Sequence, residues 1–226
     1  QPTSDISLGT KELVAKASKL KFPILLRPSY VLGGRMMEKM ANIDDVQDYI
    51  DQNYWALENN VILIDEFLQN AKEVDVDVLR DNQGNTMIAG IMEHIEEAGI
   101  HSGDSACSIP TFSLSDKIIS DIKKFSISLV SELKTLGLMN IQYAIKDEEI
   151  FILEANPRAS RTIPFLAKAI GIPFIKIAAE LIVGKTLSEE HQNFDNSNLP
   201  YFAIKEAVFP FNKFPNTDVI LGPEMK

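Results

Sequence analysis

The chain has 226 residues, of which 45% are hydrophobic and 24% are charged. These proportions are typical of a globular protein with a sizeable core, and they exclude a disordered chain and a transmembrane one. Acidic side chains outnumber basic ones by 32 to 22, so a net charge of -10 disfavours binding to nucleic acid or to an anionic membrane. The single cysteine, Cys107, excludes an internal disulfide and a multi-cysteine zinc site, which indicates a cytoplasmic protein.

The predicted elements mix strands and helices without a regular βαβ repeat, which indicates an α+β fold. In chain order they are a helix at 10–20 capped by Thr10, strands at 24–26, 61–64, 72–79 and 87–92, a helix at 115–136, strands at 139–146 and 150–155, and helices at 163–170 and 174–183. A glycine-bearing turn is expected at 30–35 and a functional loop at 93–107, because both stretches lack periodicity.

Two common nucleotide-binding motifs are absent from the sequence. The string VGKT at 183–186 resembles the end of a Walker loop, but Ala179 stands where that motif needs its first glycine. No G-x-G-x-x-G string occurs either. A P-loop and a Rossmann phosphate cradle are therefore excluded.

A polar constellation is predicted where the last strand pair ends. Glu154 and Asn156 are two residues apart, so they project from the same face of a strand, and Gln142 lies on the preceding strand. One carboxylate and two amides form an all-oxygen set that suits Mg²⁺ or Mn²⁺. The alternative is that these are ordinary polar residues at a strand end, with Pro157 marking the exit.

The register of this hairpin decides whether the constellation forms. A three-residue loop at 147–149 pairs Lys146 with Ile150 and sets Gln142 opposite Glu154. A two-residue loop would pair Gln142 with Leu153 and send Glu154 to the other face of the sheet. We therefore expect the three-residue loop.

Four arginines are candidates for anion binding. Arg158 and Arg161 follow the predicted metal site, and a guanidinium fork matches carboxylate and phosphoryl oxygens. Arg27 and Arg35 flank the turn PSYVLGG, whose glycines let backbone amides approach phosphate. The alternatives are surface salt bridges for the first pair and an ordinary edge-strand turn for the second.

Two histidines stand among glutamates near the expected loop. His94 and His101 have the wrong spacing for H-E-x-x-H, and His191 is the only other imidazole in the sequence, so a zinc site is disfavoured. His101 is better explained as a loop donor near a ligand, or as a partner of a neighbouring carbonyl.

Six segments taken together resemble one family. They are RPSYVLGGRMME, EVDVD, IMEHIEEAGIHSGDSACSIP, GLMNIQYAI, ILEANPRASRTIPFLAKAIGIP and PFNKFP…LGPEM. They resemble the large subunit of carbamoyl-phosphate synthase, which contains two homologous ATP-grasp halves. The forms RPSYVLGGR, GLMNIQYAI and PFNKFP resemble the second half. The resemblance implies an α+β ATP-grasp fold, with antiparallel-rich sheets and packed helices in two lobes that sandwich the nucleotide.

The resemblance also implies the site. The residues that match nucleotide-binding positions are Arg27, Glu66, Leu68, Glu73, Gly99, Ile100, His101, Ser102, Gln142 and Glu154. Among them, Arg27 matches a contact to the ATP phosphates, Glu66 and Leu68 match the adenine site, and Glu73 matches the acceptor of ribose hydroxyls. The residues that match the family's metal positions are Gln142, Glu154 and Asn156.

The implied reaction is phosphorylation of carbamate by ATP with Mg²⁺ or Mn²⁺. Arg158 and Arg161 match the arginines that hold carbamate or carbamoyl phosphate, and with Arg27 they are the expected catalytic residues. The implied partners are a glutaminase small subunit and the rest of the large subunit, in arginine or pyrimidine biosynthesis. Neither nucleic acid nor a membrane is expected as a partner.

The expected organisation follows from the same resemblance. Residues 1–64 would form a partial N-terminal lobe and lid, 65–200 the core lobe, and 201–226 a segment leading to a missing downstream region. The sequence starts at Gln1 without an initiator methionine or a secretory signal, so we expect a piece of a longer chain. Two alternatives stay open: the bicarbonate-phosphorylating first half, and a silent nucleotide-binding or assembly module.

Overall fold

The structure is a computed structural model that describes residues 1–30, 34–195, 199–214 and 218–226. Three residues of the expected turn at 30–35, Val31 to Gly33, lie outside the described residues. The chain divides into two compact units: unit 1 comprises Gln1–Gln69, Gly99–Asp104 and Val208–Lys226, and unit 2 comprises Asn70–Ala98 and Ser105–Ala207. The domain boundaries expected from the sequence stay a prediction.

Unit 1 is built on a four-stranded antiparallel sheet in the order β1-β4-β2-β3. Its elements are β1 (Ser4–Leu8), α1 (Leu13–Ala17), β2 (Ile24–Pro28), β3 (Glu38–Met40), α2 (Ile43–Leu57), β4 (Val61–Glu66) and a 3₁₀ turn at Phe211–Lys213. Both helices pack on the sheet through a shared apolar cluster that includes Leu13, Leu26, Leu57 and Ile64. Burial of that cluster stabilises the unit.

The helices of unit 1 differ from the expectations. The first helix is shorter than 10–20, and Thr10 does not cap it with its side chain, because the N-cap is Glu12. Helix α2 was not predicted at all. A local signal for it exists: Asn42 and Asp45 form a capping box in which each side chain accepts a hydrogen bond from the other residue's backbone.

Unit 2 is built on a six-stranded sheet in the order β10-β7-β6-β5-β8-β9. Its elements are β5 (Lys72–Arg80), β6 (Thr86–Glu97), β7 (Cys107–Ile109), α3 (Asp116–Glu132), β8 (Gly137–Lys146), β9 (Glu149–Asn156), α4 (Ile163–Ile170), α5 (Phe174–Ile182), α6 (Glu189–Gln192) and β10 (Ala203–Lys205). Helix α3 packs on the face that carries the valines of β5, and α4 and α5 contribute to a second cluster that includes Leu79 and Leu138. Within the described ranges, none of the helices has both the length and the apolar character needed to cross a bilayer.

The expected functional loop at 93–107 is partly wrong. Strand β6 continues to Glu97, and residues 107–109 form β7, which pairs with β6 at Glu93 and His94. The sequence hid this extension, because Glu93, His94, Glu96 and Glu97 are polar residues without a clear alternation of apolar neighbours.

The loop between β8 and β9 has two residues, so the expected three-residue loop is wrong. Lys146 pairs with Glu149, and the loop residues Asp147 and Glu148 have φ of 50° and 62°. Positive φ at both central residues is what a two-residue hairpin loop of type I′ requires.

A β-bulge in β9 nevertheless restores the alignment that the site needs. Tyr143 pairs with Ile152, whereas Gln142 pairs with Glu154, so Leu153 is the extra residue in the ladder. Two residues on the bulged strand oppose one on its partner, which shifts the register by one. Gln142 therefore lies opposite Glu154 despite the short loop.

Replacing Glu148 by glycine should stabilise the protein. Positive φ costs a residue with a side chain about 1 kcal/mol, and glycine avoids that cost. Urea unfolding of E148G should show an increase of about this size in the free energy of unfolding. The matched control is E149G, which places the same substitution in β9 and should destabilise by roughly 0.5–1 kcal/mol. Equal effects of the two substitutions would contradict the assigned loop.

Candidate functional site

One face of the unit 2 sheet carries a row of polar side chains across three strands. On β5, Asp75 pairs with Gln142 of β8, and Asp77 pairs with Asn140. On β9, Glu154 and Asn156 continue the row, because they pair with Gln142 and Asn140. Directly paired residues of an antiparallel ladder share a face, so these side chains all project from the same side. The valines that alternate with them on β5 face α3.

The structure brings the three predicted metal ligands together in unit 2. Gln142 and Glu154 are cross-strand partners, and the Asn156 side-chain amide donates a hydrogen bond to Glu154 Oε1 at 2.7 Å. Because the side-chain nitrogen of Asn156 makes that bond, the side-chain oxygen, Oδ1, is the Asn156 atom that could bind a metal ion. One carboxylate oxygen and two amide oxygens are hard donors, so the set fits Mg²⁺ or another hard divalent cation.

A buried hydrogen-bonded network lies beside this triad, and sequence analysis missed it. The Asn140 side-chain amide donates to Asp75 Oδ1 at 3.3 Å and to Asp77 Oδ1 at 3.1 Å. His94 Nε2 lies 2.9 Å from Asp75 Oδ2, and all four residues are almost fully buried. The alternation of acidic residues on β5 was a usable signal, because buried carboxylates need partners on the same face.

Burial and neighbouring charges together shift the pKa values of this network. Desolvation, followed by the negative charge of Asp75, raises the pKa of Asp77 to about 6, although hydrogen bonds from Thr162, Ser160 and Asn140 oppose the shift. At His94, burial lowers the pKa, but the hydrogen bond and charge of Asp75 together with the charge of Glu73 outweigh it and raise the pKa overall.

Glu73, the expected ribose acceptor, lies at one end of the network. Its side chain is buried, and its Oε1 atom is 3.8 Å from His94 Nδ1. That nitrogen is itself buried and makes no hydrogen bond to the residues that the structure describes. Glu73 and His94 therefore lie at the edge of the hydrogen-bonded network formed by Asp75, Asp77 and Asn140.

The predicted anion-binding arginines lie in the short segment between β9 and α4. Arg158 and Arg161 are both exposed, whereas Thr162, the residue before α4, is buried. The Arg158 guanidinium donates to the backbone carbonyl of Ala159 at 3.2 Å. The segment is thus anchored at the buried Thr162, while its two arginines are exposed to solvent.

Unit 1 holds the other predicted nucleotide residues. Arg27 Nε donates to Asp65 Oδ2 at 2.6 Å, so its guanidinium is anchored by an adjacent strand. Glu66 Oε1 accepts a hydrogen bond from the backbone N–H of Lys21 at 3.0 Å, which occupies one of its carboxylate oxygens. Leu68, two residues further along, is half-buried.

The predicted loop from Gly99 to Ser102 packs against the segment that contains Glu66 and Leu68. Gly99 has a φ of 107°, and a Cβ atom there would lie 2.6 Å from the ring of Phe67. Only glycine fits, because both the backbone conformation and the ring exclude a side chain. The loop is also tied down at His101, whose backbone N–H donates to the Gly222 carbonyl at 2.8 Å. Ile100 and Ser102 are half-buried in the same loop.

The shifted pKa of Asp77 predicts a pH-dependent stability. An acid whose pKa rises from 3.8 to about 6 on folding contributes stability that is complete below pH 3.8 and is lost as the pH rises through about 6. The wild-type free energy of unfolding should therefore fall by up to about 3 kcal/mol more than that of D77N across this range. Urea titrations at several pH values measure both, and parallel pH profiles would contradict the assignment.

The structure is similar to solved biotin carboxylase domains. The biotin carboxylase domain of Hydrogenobacter thermophilus 2-oxoglutarate carboxylase matches 90% of this chain and 46% of its own, with a TM-score of 0.70 and 17% identity. Biotin carboxylase from Campylobacter jejuni matches 84% of this chain and 44% of its own, with a TM-score of 0.69 and 17% identity. The expected α+β ATP-grasp fold is confirmed.

Sequence similarity identifies the family of the chain, whereas the similar structures identify only its fold. Carbamoyl phosphate synthase large chains from Archaeoglobus fulgidus, Synechocystis sp. and Nostoc sp. are 50%, 49% and 48% identical to this chain. Each match covers 100% of this chain but 21% of the relative, so the chain spans about a fifth of the length of these relatives. The family described as carbamoyl-phosphate synthase L chain, ATP binding domain, matches residues 2–190. The chain belongs to that family.

Proposed function

We propose that this chain phosphorylates carbamate with ATP to give carbamoyl phosphate, as the second ATP-grasp half of a carbamoyl-phosphate synthase large chain. The pairing of Gln142 with Glu154 carries the proposal, because it creates one oxygen-rich site on the sheet face. Arg158 and Arg161 follow this site directly in the chain. The strings RPSYVLGGR, GLMNIQYAI and PFNKFP favour the second half over the first.

Each unit contains residues that we assign to nucleotide binding. In unit 1, Arg27 would contact the ATP phosphates, and the chain around Phe67 and Gly99 would contribute to the adenine site. In unit 2, Glu73 would accept hydrogen bonds from the ribose hydroxyls. The similar domain from Hydrogenobacter thermophilus was solved in complex with MgADP, ADP and bicarbonate, which supports binding of a magnesium nucleotide and of a small oxyanion.

The chemistry of the reaction explains why cations are needed. Carbamate and the γ-phosphate are both anions, so transfer requires that their repulsion is cancelled and that the attacking oxygen is placed in line with the bond to be broken. Arg27, Arg158 and Arg161 would neutralise charge on the phosphoryl group and on the acceptor. A divalent cation held by Gln142, Glu154 and Asn156 would supply further neutralisation at the phosphate oxygens when bound.

The family resemblance also implies partners for the parent enzyme. On the basis of the family resemblance, we propose a glutaminase small subunit, which would supply the carbamate nitrogen as ammonia, together with the remaining large-chain domains. The relatives' much greater length leaves room for such domains.

Replacing Glu154 by glutamine in the full-length large chain should abolish this half-reaction. The substitution removes the one carboxylate of the triad, and loss of one preorganised electrostatic contact typically costs about 3–4 kcal/mol of barrier. The measurement is ATP synthesis from carbamoyl phosphate and MgADP, which runs the proposed step in reverse. The matched control is E149Q at the exposed start of the same strand, which should leave the rate unchanged.

The same E154Q enzyme also separates the two halves. If this unit phosphorylates bicarbonate instead, E154Q will abolish bicarbonate-dependent ATP hydrolysis and leave ATP synthesis from carbamoyl phosphate intact. Normal rates in both assays would refute a metal role for Glu154.

The remaining alternative is a module that binds nucleotide but performs no chemistry. Calorimetry of the 226-residue chain with an ATP analogue, followed by a turnover assay, distinguishes binding from catalysis. We expect weak binding and little turnover from the isolated chain, and full turnover only in the full-length enzyme.

A further inference from the structure

Asp77 is a carboxylate in an unusual place. It lies in β5, which has two neighbouring strands on one side and three on the other, and its side chain is completely buried. Its hydrogen-bond donors among the described residues are neutral: the amide of Asn140 and the hydroxyls of Ser160 and Thr162. A buried carboxylate is costly to keep, so an apolar residue would serve a purely structural role better.

The two hydroxyl donors come from the segment that carries the arginines. Ser160 Oγ donates to Asp77 Oδ2 at 2.9 Å, and Thr162 Oγ1 donates to the same oxygen at 2.8 Å. The two hydroxyl oxygens are also 2.8 Å apart, and Ser160 Oγ accepts a hydrogen bond from the backbone N–H of Ile163 at the start of α4. A single carboxylate oxygen therefore fixes the segment at two points.

The spacing of these residues sets the direction of the arginines. Arg161 stands between Ser160 and Thr162, and Arg158 stands two residues before Ser160. The hydroxyls face the sheet, whereas both guanidinium-bearing residues are exposed. Holding the two hydroxyls inward consequently limits where Arg161 can project.

We propose that Asp77 is a positioning residue, which fixes Arg158 and Arg161 for the acceptor anion through Ser160 and Thr162. This inference rests on the proposed function, in which these arginines hold carbamate or carbamoyl phosphate. A displacement of about 1 Å in such a group can cost about 100-fold in rate, so the attachment matters even though Asp77 touches no substrate.

The test uses two substitutions of Thr162 in the full-length large chain. T162V keeps the shape of the side chain but removes the hydroxyl, whereas T162S keeps the hydroxyl. In ATP synthesis from carbamoyl phosphate and MgADP, T162V should lower kcat/KM for carbamoyl phosphate about tenfold. The KM for MgADP should stay within about twofold of wild type, and T162S should restore kcat/KM for carbamoyl phosphate.

D77N removes the charge at the centre of the attachment and should lower the same kcat/KM about 100-fold, again with the KM for MgADP unchanged. A merely structural role predicts another pattern: T162V and T162S would lower thermal stability while both KM values and kcat stayed at wild-type levels. That pattern would overturn the proposal, as would equal losses for carbamoyl phosphate and MgADP. The Thr162 pair decides the question even if D77N fails to fold.

Comparison of wild type, E154Q and T162V distinguishes failure of this inference from failure of the proposed function. If wild type makes no ATP from carbamoyl phosphate, or E154Q does not affect that reaction, the proposed function fails. If wild type is active, E154Q is inactive and T162V equals wild type, the proposed function holds and the positioning role of Asp77 is wrong.

Discussion

The cross-strand pairing of Gln142 with Glu154 is the constraint on which the candidate site depends. Side chains alternate between the two faces of a strand, so a slip of one residue would separate the carboxylate from the amide by the thickness of the sheet. The short loop at Asp147 and Glu148 sets the hairpin one residue out of alignment, and the bulge at Leu153 corrects it. Two local irregularities thus cancel, and the ligand set depends on both.

The same face of the unit 2 sheet is apolar towards one end and polar further along its strands. Towards one end, Leu79 and Leu138 belong to the apolar cluster that α4 and α5 cover. Further along the same strands, Asp77, Asp75 and Asn140 replace apolar side chains with a network of hydrogen bonds. Helix α4 begins where the two regions meet, since Thr162 contacts Asp77 and Leu166 lies in the apolar cluster. Packing and polar attachment therefore act on one helix.

Sequence reasoning worked where a single periodicity dominates. The alternation on β5 and the apolar spacing of α3 were identified, because burial on one face imposes a regular pattern. The extension of β6 through Glu93 and His94 was missed, since both residues are polar, buried and hydrogen-bonded to residues far away in the chain. The structure brings Gln142, Glu154 and Asn156 together in unit 2, and the roles of all the predicted site residues remain proposals.

The hairpin shows why a correct pairing can follow from a wrong loop. Counting residues between strands assumes an uninterrupted ladder, and nothing in the letters around Leu153 identifies it as an extra residue. Helix α2 had a readable signal in Asn42 and Asp45 that went unused. The network around Asp77 could not be predicted from the sequence, because Ser160 and Thr162 are 83 and 85 residues away from Asp77 in the chain.

The division of the chain into two units affects the order in which the units are completed during translation. Unit 1 begins with the first residue but takes six residues from Gly99–Asp104 and its last stretch from Val208–Lys226. Translation proceeds from the N-terminus, so all of unit 2 emerges before Gly222 can accept its hydrogen bond from His101. Unit 1 is therefore complete only after all of unit 2 has been translated, although the four strands of its sheet lie within residues 4–66.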